Sequence, residues 1–175
     1  MLLTISQHIV TIIKMSLWHD FELAWRFTDP KFSMLNADEL HRIRPIAPAA
    51  SLRSWHELFD GAEHMLARSP STISQLDQAW ISPANKAAAA AQVRQWEPRW
   101  LNSKCVFYWS PSCAVATDME LVLSRFDDFC YSSDDNVVIA FENGCRIITW
   151  CEGNCLLEYV TAEKVIAAWK WAELR

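Results

Sequence analysis

The stretch NVVIAFENGCRIITWCEGNCLLEYV, from Asn136 to Val160, decides the fold. It divides into three runs rich in β-branched and apolar residues: Asn136 to Phe141, Cys145 to Cys151 and Cys155 to Val160. Only Glu142, Asn143, Gly144 and then Glu152, Gly153, Asn154 separate them. Connections this short join antiparallel neighbours, so the spacing predicts a three-stranded meander. Upstream, Cys105 to Trp109 is a β-branched and aromatic run that predicts another strand, Ser110 to Ala116 a loop, and Asp118 to Phe129 a helix with Met119, Val122, Leu123 and Phe126 on one face. Downstream, Thr161 and Glu163 open a last helix carrying Val165, Ala168, Trp169 and Ala172.

The N-terminal two thirds predicts helices joined by proline-bearing turns. Trp18, Phe21 and Trp25 repeat at helical spacing while Leu23, Trp25 and Phe27 alternate as a strand would, leaving that segment open. Asn36 followed by Glu39 is a capping box for a helix to about Arg44, ended by Pro45. From Ala49 to Ala67, Leu52, Trp55, Leu58, Phe59, Ala62 and Leu66 recur at three and four, the pattern of an amphipathic helix. A further helix is expected over Ser71 to Trp80, and Pro83 opens another through Ala87 and Ala91 to Trp96. The sum is an α+β fold: a helical N-terminal part packed on a small C-terminal antiparallel sheet, a meander, with a terminal helix. Residues 15–175 form one domain on this reading, and residues 1–14, which precede a second methionine at Met15, are an appendage.

Ten tryptophans but only three glycines occur in 175 residues. The three, Gly61, Gly144 and Gly153, lie too far apart to build a Walker loop or a dinucleotide fingerprint, which excludes the common nucleotide-binding folds. The aromatic content describes a dense core instead. The apolar start, Met1 to Ile13, is interrupted by polar residues, has no basic residue before it and is too short to span a bilayer. Six cysteines, Cys105, Cys113, Cys130, Cys145, Cys151 and Cys155, are therefore expected as reduced thiols in a cytoplasmic protein that does not enter a membrane.

No residue pattern supplies catalytic chemistry. Cys151 and Cys155 occur as a single C-x3-C, and the five histidines all precede residue 65, so neither a zinc site nor a thiol nucleophile is expected. No cofactor is called for. Charge is more informative. The chain carries −5 overall, but Thr117 to Val160 alone carries −7, with nine acids against Arg125 and Arg146. Such a segment repels nucleic acid and attracts basic partners, or else it is a solvated face that maintains solubility. Within it the adjacent pairs Asp127, Asp128 and Asp134, Asp135 are costly to desolvate together and call for water or a cationic partner. Asp128 and Asp135 each border an apolar run and are the members expected to be structural.

The segment Phe107-Tyr108-Trp109-Ser110-Pro111-Ser112, then Arg125 to Tyr131, then Ser132 to Val137 entering a strand, resembles small bacterial toxin-immunity proteins and their relatives. The resemblance covers about a third of the chain, from Phe107 to Phe141, and the cysteine-bearing hairpin from Cys145 to Cys155 departs from it. It implies a cytoplasmic, non-enzymatic protein that binds one cognate toxin; together with the acidic segment, the expectation is a basic toxin as the partner and Asp127, Asp128, Tyr131, Asp134 and Asp135 as partner-binding residues. The alternative is an enzyme or ligand binder with an aromatic pocket between sheet and helices, lined by Trp109, Trp150 and Tyr159.

Overall fold

The computed structural model describes residues 18–63, 74–80, 86–131, 135–142, 146–151 and 154–172. The expected appendage at 1–14, Leu66, Asp134 and Cys145 lie outside them. The described residues form seven helices, a 3-10 turn and seven strands. The strands are β1 (Arg44–Ile46), β2 (Ser74–Trp80), β3 (Lys104–Ser110), β4 (Cys113–Asp118), β5 (Val137–Phe141), β6 (Arg146–Cys151) and β7 (Asn154–Tyr159). The helices are α1 (Trp25–Thr28), α2 (Ala37–His41), α3 (Pro48–Phe59), α4 (Lys86–Trp96), α5 (Met119–Ser124), α6 (Phe126–Phe129) and α7 (Ala162–Ala172), with a 3-10 turn at Pro98–Asn102.

All seven strands form one antiparallel sheet in the order β1-β4-β3-β5-β6-β7-β2. The α+β class and the β5-β6-β7 meander are as the sequence predicts, and the sheet is larger than expected because three further strands join it. Ser74–Trp80 is a strand paired with β7, not a helix. Cys113–Asp118 is a strand that returns from β3 through Pro111 and Ser112, not a loop. Arg44–Ile46 is a three-residue edge strand on β4. Pro45 is tolerated there because an edge strand can dispense with one ladder donor.

Both faces of the sheet are covered, which explains why its central strands read as apolar without alternation. On one face Val106, Tyr108, Ala114, Val138 and Ala140 pack under α3 and α7, joined by Trp55, Leu58, Phe59, Val165 and Ala168. On the other, Cys105, Phe107, Cys113, Val115, Val137, Ile139, Phe141 and Leu157 pack against Phe21, Phe27, Val93, Trp100, Met119, Val122, Phe126 and Phe129. The period-two alternation of β3, β4 and β5 thus separates two cores rather than a core from solvent. Trp55, Leu58, Phe59, Phe107, Phe126, Phe129 and Phe141 are all essentially solvent-free. Each such side chain contributes about 1.5–3 kcal/mol through burial.

The helix predicted from Ala49 to Ala67 stops at Phe59. Asp60 (φ 50°) and Gly61 (φ 78°) are both left-handed, and their N–H groups donate to the His56 carbonyl, a C-terminal cap that glycine accommodates without strain. The expected Asp118 to Phe129 helix is broken at Arg125, whose backbone leaves the helical region (φ −121°, ψ 35°), giving α5 and α6. The capping box at Asn36 and Glu39 is present, although its helix is short. In the hairpin of β6 and β7, Cys151 pairs with Asn154 and Cys155 with Trp150, so the two cysteines are not cross-strand partners and Asn154 belongs to the strand rather than the turn.

Candidate interaction surface

The acidic stretch predicted to bind a partner lies against the N-terminal segment. Asp29 accepts the Lys31 backbone N–H at 2.9 Å, while its own carbonyl accepts those of Phe32 and Ser33. This turn folds Phe32 back onto Trp25, ring centroids 4.9 Å apart and nearly perpendicular. Trp25 also lies 6.0 Å from the Tyr131 ring. Two residues beyond Phe32, the Met34 N–H donates to Asp128 Oδ1 at 3.2 Å, which anchors the strand-like exit of the turn to α6. The outcome is an exposed apolar patch: Trp25 is 38 % exposed, Phe32 42 % and Met34 76 %, with Tyr131 half-buried beside them.

Beneath the patch sits a buried charge. Arg26 donates from Nη2 to Asp135 Oδ1 at 3.0 Å and from Nη1 to Oδ2, a two-pronged pair, and its side chain is 7 % exposed against 12 % for Asp135. Asp135 Oδ2 also accepts the Tyr131 N–H at 2.7 Å, and the Asp135 N–H donates to the Tyr131 carbonyl at 3.2 Å. The guanidinium carbon of Arg26 is 4.3 Å from the Tyr131 ring centroid and 5.4 Å from that of Trp25. One buried arginine therefore holds Tyr131 and Trp25 in a fixed relation. The floor is continuous with the core: Phe27 lies 5.1 Å from Phe129, and the Trp109 Nε1–H donates to the Phe129 carbonyl at 2.7 Å.

The predicted residues separate into two kinds. Asp127 and Tyr131 reach the surface, whereas Asp128 is 4 % exposed and holds Met34, and Asp135 holds Arg26. Asp134 lies outside the described residues. The −7 stretch is accordingly less acidic at the surface than along the chain. Asp118 is likewise buried; it accepts from Arg42 and caps α5 by accepting the Leu121 N–H at 3.0 Å. Burial raises the Asp118 carboxyl, but hydrogen bonds from Arg42 and Leu121 and the charge of Lys104 outweigh it and leave it below the ordinary carboxylate range. Glu39 is held low by its bonds to Arg125, at 2.9 and 3.0 Å. Asp29 lies in the turn that carries Phe32 and Lys31 Nζ stands 5.1 Å from the Phe32 ring centroid; Asp20, Glu22 and Asp127 are exposed. Trp25, Phe32 and Met34 were not singled out from sequence; the only hint was that Trp25 fitted both a helical and an alternating pattern.

Trp109 packs among Phe21, Phe27, Phe107 and Phe129. The side chains of Trp150 and Tyr159 lie outside what is described. Cys105, Cys113, Cys130 and Cys155 are buried free thiols; burial pushes Cys113 and Cys130 up to about 12 and raises Cys105 and Cys155 further. Thiols so placed are poor nucleophiles.

Among the described residues no helix is long and apolar enough to cross a membrane. No protein-family model, characterised protein or solved structure matches this chain.

Proposed function

We propose that the protein is a non-enzymatic binding protein of the toxin-immunity kind, which captures a basic protein toxin in the cytoplasm through the patch of Trp25, Phe32, Met34 and Tyr131. The observation that carries this reading is the exposure of three large apolar side chains on a support that a buried Arg26–Asp135 pair makes rigid. Rigid aromatic anchors lose little conformational freedom on binding, and aromatic residues at the centre of an interface supply most of its energy. Asp127, beside the Asp128 that holds Met34, and Asp29, in the turn that carries Phe32, supply carboxylates that favour a basic partner and raise its association rate. Asp128 and Asp135 act by positioning the patch, through Met34 and Arg26.

Binding to the product of the adjacent gene tests this, measured by calorimetry on purified proteins. Replacing Trp25 and Phe32 together by alanine is expected to weaken binding at least a hundredfold while the protein stays folded. Unchanged affinity in the folded double variant, or no binding by the parent protein, defeats the proposal.

A further inference from the structure

Sulfur chemistry sets one residue of the aromatic patch apart from the rest of the molecule. Cys105, Cys113, Cys130 and Cys155 are buried, and Met119 is 1 % exposed. Met34 is 76 % exposed, and among the described sulfur side chains it alone reaches solvent. Its backbone is held on both sides. The Met34 N–H donates to Asp128 Oδ1 at 3.2 Å, and the next N–H, that of Leu35, donates to Ser33 Oγ at 3.2 Å while the Leu35 side chain packs on the core. A fixed segment therefore presents a thioether to water.

An exposed thioether reacts with peroxides without help from neighbouring groups. The sulfur lone pair attacks the terminal oxygen of a hydroperoxide, and the S–O bond forms as the O–O bond breaks. Sulfur gives up two electrons, and the proton of the transferred hydroxyl passes to the leaving oxygen, which departs as water or an alcohol. The product is a sulfoxide, with the same carbon skeleton and one strongly accepting oxygen. An adaptable apolar contact has become a group that calls for hydration. A partner surface matched to the thioether offers that oxygen no donor, so stripping its water opposes binding.

We propose that Met34 is a reversible oxidation site through which peroxide weakens capture of the partner by the patch: the thioether form binds and the sulfoxide form does not bind as well. This rests on the reading of the patch as the toxin-binding surface. Met34 is the most exposed of the four patch residues, and the Arg26–Asp135 pair that supports the patch contains no sulfur. Oxidation therefore changes the contact surface and leaves its support in place. Because the side chain already lies in water, the sulfoxide should keep the melting temperature within about 1 °C of the parent.

Hydrogen peroxide is the probe, added to the folded protein, quenched, and followed as oxygen gain in each methionine peptide by mass spectrometry. Met34 is expected to convert about tenfold or more faster than Met119. Comparable rates, or a Met34 that resists, overturn the inference before any partner is added. Binding to the product of the adjacent gene is then measured before and after treatment. The oxidised parent should bind about tenfold or more weakly, the two methionine sulfoxide reductases should restore its affinity, and Met34→Leu, compared with its own untreated form, should lose nothing on treatment. Undiminished binding by the oxidised parent, or an equal loss in treated Met34→Leu, overturns this inference alone and leaves the capture reading standing. An untreated parent that does not bind defeats both.

Discussion

Arg26 and Asp135, 109 residues apart in the chain, meet as a two-pronged ion pair that is nearly removed from water, and the same carboxylate takes the Tyr131 N–H. The pair joins the N-terminal segment to the loop after α6 and sets the distance between Trp25 and Tyr131. A buried pair of this kind adds little net stability over an apolar substitute, because desolvation cancels most of the attraction. Its value lies in geometry: the arginine is the common support under two aromatic rings.

Removing one partner is costly, since it strands the other charge. Asp135→Ala is expected to lower the unfolding free energy by about 3–5 kcal/mol, measured by urea denaturation. The double change Arg26→Met with Asp135→Leu should recover much of the loss. It should not recover partner binding, because Tyr131 loses its backbone acceptor.

The meander and the terminal helix were legible because their signals are local: β-branched runs, three-residue gaps and a helical period. β4 was not, since Cys113, Ala114, Val115 and Ala116 have weak strand preference and follow a proline turn; pairing on both sides with β1 and β3 makes them a strand. β2 was expected as a helix, and its strand state depends on pairing with β7, encoded about 80 residues later. At the candidate surface, the location of the acidic loop was legible. Which acids face inward was visible only as a bias, from Asp128 and Asp135 bordering apolar runs. Arg26 as their counter-charge was not, because nothing local couples positions so far apart.

Inside the second core, the Ser54 hydroxyl donates to the Ala168 carbonyl at 2.9 Å, so the Tyr108 hydroxyl, 2.6 Å away, must donate to Ser54 Oγ. The two deletions are therefore unequal. Ser54→Ala leaves a buried phenol without an acceptor and should cost about 1–3 kcal/mol, whereas Tyr108→Phe leaves serine bonded and should cost less. Equal losses in chemical denaturation would refute this ordering.

Acid sensitivity follows from Asp118 and Glu39, both held below their ordinary values. A carboxyl lowered on folding contributes stability that is complete above its unfolded value, near 4, and is lost as pH falls through the folded value. The melting temperature should thus be flat above about pH 5 with respect to these groups and fall below about pH 4. Asp118→Asn should reduce stability at neutral pH and flatten the acid limb.

Thiol accessibility checks the burial of the four described free cysteines. In a Cys145→Ser, Cys151→Ser variant, Cys105, Cys113, Cys130 and Cys155 should not react with a disulfide reagent at pH 8 until denaturant is added. Fast labelling of any of them in the native protein contradicts the packing described.

The sharpest separation is between Asp127, which is exposed, and Asp135, whose side chain is only 12 % exposed against Arg26, eight residues further on. If the patch around Trp25 binds a basic toxin, Asp127→Asn should leave the melting temperature within about 1 °C, since surface changes rarely exceed ±0.5 kcal/mol. It should slow association several-fold, and the effect should fade as salt rises, because steering between exposed charges is screened over about 8–10 Å near physiological ionic strength. Asp135→Asn should do the opposite: a marked loss of stability, with the residual folded protein binding more weakly through a faster off-rate that salt does not alter. Stopped-flow association measured at two salt concentrations, alongside thermal melts, distinguishes these patterns. An Asp127→Asn protein whose association rate matches the parent at low salt would remove the Asp127 charge from the binding reaction and leave the aromatic side chains as its determinant.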